Sequence, residues 1–376
     1  MRQFRVSTDI RFGPGSLASL RQLAGRRVLI VTDAFMAAAP LMDKVLAELR
    51  ESTVTVFDQV SPNPDVATVA AGVSAYLGAV PDAVVALGGG SPIDAAKAVY
   101  SIAKRQGDSL AGGFIVIPTT SGSGSEGTSY AVISDPGSHS KVPLTSDDMV
   151  PDVAILDPEA VRSAPPGLTA DAGMDAVSHA IEAYVATGHS DFSDAFAEKA
   201  LQLLCVNLPQ AHARPDDLAA RQRVHNAACM AGLAFENAGL GIVHSLSHAI
   251  GGLFPLPHGR LNSIILPHVI EFNAGRLGFG PTGLTEVGQR YAHLGLVVDV
   301  TASTPRGRVL GLIEDCRALA RRLHLPDRLS EAGVPKDDYL RALPQLAQAA
   351  LADRCTAGNP VPVTVKDLST LLAQIA

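Results

Sequence analysis

The chain has 376 residues, 47% of them apolar and 18% charged, a balance that suits a large packed interior and excludes a disordered segment. A net charge of −7 speaks against a nucleic-acid partner, which selects a basic face. Arg2 and Arg5 lead into polar Ser7, Thr8 and Asp9 rather than an apolar leader, and no apolar run approaches the roughly 20 residues that span a bilayer, so a soluble, cytoplasmic protein without a membrane partner is expected.

The length favours two domains. In the first half, short β-branched runs alternate with helical stretches. Arg27 to Thr32, Thr53 to Phe57, Ala83 to Leu87 and Phe114 to Ile117 read as strands, with helices over Leu41 to Glu51 and Val66 to Leu77. Nearly continuous apolar strands separated by helices predict a parallel sheet covered on both faces, a Rossmann-like α/β domain. Pro165-Pro166-Gly167 punctuates the chain, and strand signals almost vanish beyond it. Helices are expected over Ala172 to Ala186, Phe192 to Leu208, Leu218 to Glu236, Thr282 to Leu294, Arg306 to Leu323 and Lys366 to the end. The predicted organisation is an α/β NAD-binding domain over residues 1–163, followed by an all-helical, metal-binding and catalytic domain over residues 164–376.

Two glycine-rich turns follow predicted strands. After Leu87 come Gly88, Gly89, Gly90 and Ser91, and a helix opens at Pro92 with Ser91 as its expected N-cap and Asp94 closing a box-like cap. Glycines admit a ligand close to the backbone, and unpaired N–H groups at a helix start attract an anion such as a diphosphate. The second turn, Pro118-Thr119-Thr120-Ser121-Gly122-Ser123-Gly124-Ser125-Glu126, stands where ligands bind in open α/β sheets, at a strand's carboxyl end. The first is neither the G-x-G-x-x-G fingerprint nor a P-loop. Asp33, just past the first strand, has two readings: a hydrogen-bond acceptor for a ribose diol, favouring NAD over NADP, or a plain cap at the strand end.

The helical half carries the metal signal. Asp175 and His179 are four residues apart, as are His244 and His248, and on a helix that spacing puts both side chains on one face. His244, His248, His258 and His268 crowd into 25 residues, with His258 in a Pro-His-Gly turn. Imidazole with carboxylate suits Fe²⁺, Zn²⁺ or Mn²⁺, and spacing alone leaves open which three histidines bind. His139, His189, His212, His225, His293 and His324 have no comparable setting. Cys205, Cys229, Cys316 and Cys355 are scattered without a C-x-x-C pair and are expected to be small buried residues of a reducing compartment.

These residues resemble the iron-containing (group III) alcohol dehydrogenases. The shared pieces are G-G-G-S at 88–91, P-T-T-S-G-S-G-S-E at 118–126, K-V-P-L-T-S-D-D-M-V-P-D-V-A-I-L-D-P at 141–158, G-M-D-A-V-S-H-A-I-E at 173–182 and H-S-L-S-H-A-I-G-G-L-F-P-L-P-H-G at 244–259. The likeness covers essentially the whole chain. Within the family it is closest in character to the 1-propanol dehydrogenases of propanediol-utilisation microcompartments, including F-G-P-G-S-L near the start. The resemblance implies a metal, Fe²⁺ before Zn²⁺, held by Asp175, His179, His244 and His258, with His248 beside it in proton transfer. It implies NAD(H) on Gly88, Gly89, Gly90 and Ser91, with Asp33, Thr119, Thr120, Ser123 and Lys141 around ribose and phosphates. It further implies a small alcohol or aldehyde substrate, a homodimer or larger homo-oligomer, and residence inside a bacterial microcompartment with its enzymes. Two departures from the family pattern are Ser123, where Thr is common, and Asn359-Pro360-Val361, where Asn-Pro-Arg is common. A related polyol dehydrogenase, or a metal-dependent lyase of the same two-domain plan, is the competing reading.

Overall fold

The computed structural model describes residues 3–107, 110–135, 140–275 and 284–376. Contacts divide the chain into two compact units: Arg5–Ala164 with Pro215–Cys229, and Met1–Phe4 with Pro165–Arg214 and Met230–Ala376.

The first unit is built on eight strands: β1 (Asp9–Phe12), β2 (Arg27–Val31), β3 (Thr53–Phe57), β4 (Ala83–Gly88), β5 (Gly113–Pro118), β6 (Tyr130–Asp135), β7 (Ser140–Thr145) and β8 (Val153–Leu156). Its helices are α1 (Ala34–Ala37), α2 (Pro40–Glu48), α3 (Val66–Ala79) and α4 (Gly90–Arg105). Six strands form one parallel sheet in the order β1-β8-β5-β4-β2-β3, and β6 and β7 pair as an antiparallel hairpin. Reading inward from β3, the order is the 2-1-3-4-5 arrangement of doubly wound sheets, whose switch point lies between β2 and β4.

Side-chain alternation makes two cores from one sheet. Val28, Ile30, Val85, Leu87, Ile115 and Ile117 face α2 and the turn at Ser16–Leu23, while Leu29, Val31, Val84, Ala86, Phe114 and Val116 pack with residues of α3 and α4. All four predicted strands are present; β1, β8 and the hairpin are additions. β1 and β8 have four residues each, and no repeating pattern distinguishes a four-residue strand from a loop.

In the second unit α5 (Pro166–Val185) is buried along nearly all its length from Thr169 onward. A helix buried on every side is a central helix. The others are α6 (Asp191–Ala213), α8 (Ile242–Leu253), α9 (His258–Asn273), α10 (Glu286–Val297), α11 (Pro305–Arg322), α12 (Lys336–Ala352) and α13 (Val365–Gln374), and α7 (Leu218–Ala238) contributes residues to both units. Of the predicted helix from Thr282, the first two positions lie outside the described residues, as does His139; the remainder is α10. The strand-free character predicted beyond Pro165 holds among the described residues.

Candidate metal centre and glycine turns

The site in the second unit is assembled from α5, α8 and α9. Two close approaches set its geometry. Arg260 forms a bidentate ion pair with Asp171 at 3.0–3.1 Å, one turn before Asp175, tying α9 to α5. Between them Gly259 lies so near α5 that a Cβ would come 1.8 Å from the Asp171 carbonyl oxygen, so the glycine of Pro-His-Gly is required by helix contact.

Asp175 projects from α5 with His179 one turn on, His244 from α8, and His258 opens α9. The Asp175 Oδ1 lies 3.9 Å from His179 Nε2, 3.8 Å from His244 Nε2 and 3.7 Å from His258 Nε2. The ligand atoms of Asp175, His244 and His258 all lie within 4.8 Å of one another, and the His179 ring stacks on that of His244 at 4.6 Å. Adjacent donors around a four-coordinate divalent cation are roughly 3.4 Å apart, and the three distances from Asp175 Oδ1 lie within a few tenths of an ångström of that; His179 stands outside the compact group of Asp175, His244 and His258. One carboxylate oxygen with imidazole nitrogens, converging and largely buried, is a donor set that fits Fe²⁺ or Zn²⁺.

The shell behind the donors is also built. The Glu182 carboxylate accepts from His244 Nδ1 at 2.5 Å and, through its other oxygen, from the Val243 N–H at 2.7 Å. That bond holds the ring with Nε2 facing Asp175. Burial disfavours a charged His244, but Glu182 and Asp175 outweigh it and raise the imidazole to about 9. For Asp175 burial likewise pushes upward, and the surrounding histidines prevail, holding the carboxyl below its usual range. Ser247 Oγ lies 2.9 Å from His258 Nδ1, fixing that ring from behind. Asn359, from the Asn-Pro pair near the end, exchanges hydrogen bonds with Asn273 and accepts from Ile242 N at the start of α8.

His248 stands one turn beyond His244. Its Nδ1 pairs with Asp353 Oδ2 at 2.9 Å, and its ring stacks on His258 at 5.2 Å. Burial would raise the Asp353 carboxyl, but the His248 bond and charge bring it down to about 2. His268 lies elsewhere on α9, beside Arg317 and Gln374. Burial raises all four thiols, Cys205 to about 12, consistent with chemically quiet cysteines.

In the first unit the two glycine turns meet at the carboxyl ends of the neighbouring strands β4 and β5. Gly88 pairs with Pro118, Thr119 N donates to Gly88 O at 2.9 Å, and Gly89 and Gly90 back onto Thr120 and Ser123. Gly88 has φ +155°, and a Cβ there would meet Pro92 at 2.5 Å. The expected cap is a correction: α4 begins at Gly90 with Gly89 as N-cap and no side chain capping it. Glycine freedom lets the chain turn into the helix early, so Ser91 falls inside the first turn, where its Oγ accepts from Asn63 N. Asp94 instead receives Ser125 Oγ and Val132 N, tying the second turn and β6 to the helix. Buried Lys97 completes this tie by donating to the carbonyls of Thr128 and Tyr130. His225, given no role by the sequence, sits 3.0 Å from Ser121 Oγ, with burial lowering its imidazole to about 3.

Asp33 caps α1, its Oδ1 accepting from Met36 N at 2.8 Å, which is the plainer of its two readings; its second oxygen has no hydrogen bond among the described residues. Lys141 lies on β7, and its side chain is outside the described residues.

Residues 7–158 match the iron-containing alcohol dehydrogenase family, and residues 169–376 match the C-terminal region of the same family. The chain belongs to the iron-containing alcohol dehydrogenases. It is 38% identical to the 1-propanol dehydrogenase PduQ of Salmonella typhimurium over 100% of both chains. It is also 37% identical to the NADPH-dependent butanol dehydrogenase of Clostridium saccharobutylicum, over 96% of this chain and 94% of that one. Among solved structures, a 1,3-propanediol oxidoreductase superposes with a TM-score of 0.91 at 30% identity, covering 100% of each chain. This iron-containing alcohol dehydrogenase is therefore an oxidoreductase of alcohols and aldehydes with the α/β-then-helical plan of its family.

Proposed function

We propose that this enzyme interconverts a small primary alcohol, 1-propanol among them, and its aldehyde, using NAD(H) and one divalent cation, Fe²⁺ before Zn²⁺. The observation that carries the proposal is the convergence of three histidine Nε2 atoms on one oxygen of Asp175. When bound, the cation supplies Lewis acidity at the substrate oxygen and the nicotinamide supplies or takes the hydride. Asp175, His179, His244 and His258 would hold the cation. Glu182 and Ser247 keep the rings of His244 and His258 turned to it through their Nδ1 atoms. His248 is the group proposed to give or take the proton, and Asp353 at its Nδ1 leaves Nε2 for that exchange. Gly88, Gly89, Gly90 and Ser91, at an uncapped helix start, would receive the diphosphate; Thr119, Thr120, Ser123 and Lys141 are proposed around the ribose and phosphates.

The butanol dehydrogenase relative is NADPH-dependent, so the preference for NAD rests on the Asp33 carboxylate, whose second oxygen is available to a ribose diol and would repel a 2′-phosphate. Self-association is supported by the sheet edge at β1, where Phe12 is exposed. Residence in a microcompartment is supported by the likeness to PduQ. Among the described residues no helix is long and apolar enough to cross a membrane.

Anaerobic purification with elemental analysis, followed by alcohols and aldehydes with NAD(H) and NADP(H), tests the whole reading. Stoichiometric iron or zinc and NADH consumption with short aldehydes are expected. Turnover in metal-free enzyme would overturn the cation's role, and a preference for NADPH would overturn the part given to Asp33.

A further inference from the structure

The metal centre contains a side chain that no motif singles out. Asn262 lies one turn after His258 on α9 and is fully buried. Its Nδ2 donates to Asp175 Oδ1 at 2.7 Å and stands 3.3 Å from both His244 Nε2 and His258 Nε2. These are the atoms that form the compact donor group. The amide NH₂ thus faces three polar atoms with only two protons, so its donor end is crowded. Its carbonyl end is the reverse: Oδ1 is buried and has no hydrogen-bond partner. Buried polar groups are nearly always satisfied, and one side chain mismatched at both ends calls for a reason.

A divalent cation among the same three atoms favours the opposite orientation of the amide. It would repel the positive edge of the NH₂, whereas a carbonyl oxygen is a hard donor that such cations accept. The two ends of a carboxamide are nearly equal in size, so a half-turn about the last torsion exchanges them without added volume. The turn forfeits no hydrogen bond at Oδ1, because Oδ1 has none.

We propose that Asn262 is a fifth group of the metal centre, its terminal amide turning so that Oδ1 faces the bound cation. Its NH₂ is then the placeholder that holds Asp175, His244 and His258 together before the cation arrives. The proposal rests on those residues being the ligands.

The test compares the full-length enzyme with N262A and N262D, each stripped by chelator, in Zn²⁺ competition against a chromophoric chelator. Visible spectra after Co²⁺ loading provide the second readout. N262A is expected to bind Zn²⁺ about tenfold more weakly or worse, the loss typical of a group removed from around a metal. N262D keeps the shape and an oxygen, so it is expected to bind at least as tightly as wild type. The Co²⁺ bands of N262A should move toward the more intense pattern of lower coordination. Unchanged or tighter Zn²⁺ binding by N262A, or an unchanged Co²⁺ spectrum, would overturn the proposal. If N262A does not fold, N262D decides: a role confined to N–H donation predicts weaker binding by N262D, and that result also overturns it. Failure of wild type to bind Zn²⁺ or Co²⁺ would instead remove the parent reading, and this one with it.

Discussion

The two units carry their proposed sites in opposite materials. In the sheet unit the site is backbone: glycines at the end of β4, an uncapped helix start, and a second turn held by Asp94 and Lys97. In the helical unit it is side chain: one carboxylate and several imidazoles brought from three helices, with the rings of His244, His258 and His248 turned by partners behind them. A backbone site tolerates many side chains nearby but not an added Cβ. A side-chain site tolerates small backbone shifts but not a changed functional group. The contrast predicts different failures when each is disturbed.

The largest effect is expected at the cation. His258→Ala removes a donor whose Nδ1 is already oriented by Ser247. Metal content should fall to background and turnover by about a thousandfold or more, as expected when a Lewis acid is lost. Circular dichroism should remain that of a folded protein, because the His258 side chain keeps about a third of its surface exposed. Full activity without metal would break the comparison at its root.

Glu182→Gln sharpens it. The amide keeps the size of the carboxylate but removes the negative charge at His244 Nδ1, and metal affinity should drop roughly 10- to 100-fold. Equilibrium dialysis with elemental analysis reads this directly. Affinity equal to wild type would mean that His244 is oriented by packing alone.

Gly88→Ala tests the backbone site. The new Cβ meets Pro92 at 2.5 Å in a conformation that disfavours any side chain, a strain of about 1–3 kcal/mol. NADH affinity, followed by fluorescence titration, should weaken about tenfold for each 1.4 kcal/mol that reaches the bound state, with Zn²⁺ affinity unchanged. A variant that lost metal and kept NADH would overturn the assignment of this turn to the nucleotide.

The smallest effect is expected from Asp353→Asn. Metal content should stay the same while kcat falls about tenfold, less than the roughly 10²- to 10⁴-fold of a proton-transfer group itself, because Asp353 acts only through His248. A change in metal content instead would place His248 among the ligands rather than beside them.

Much of this was legible in order along the chain. The four predicted strands rest on β-branched runs, and the central helices on long apolar stretches, because burial is written into local composition. The proposed donors Asp175, His179, His244 and His258 were marked by spacing and by resemblance. Their partners were not marked: Glu182, Ser247, Asn262 and Asp353 are ordinary residue types at unremarkable positions. Asp353 reaches His248 from 105 residues away, and such a pairing leaves no periodic trace. The capping role given to Ser91 failed for a related reason. Local rules favour serine as a cap, but three preceding glycines let the turn close sooner, and Asp94 was drawn to Ser125 and Val132 instead.

By itself the amino-acid order determined which stretches become strands and helices, the presence of two glycine turns, and a surplus of cation-binding side chains in the helical half. Those features depend on neighbours within a few residues, where helix and strand periodicity act directly. Only the tertiary structure decided which nitrogen of each ring faces Asp175, which carboxylates stand behind the histidines, and that an asparagine amide lies among the donors. Hydrogen bonds between distant segments depend on how helices pack, and packing is set by close approaches such as Gly259 against Asp171, which become contacts only once the chain has folded.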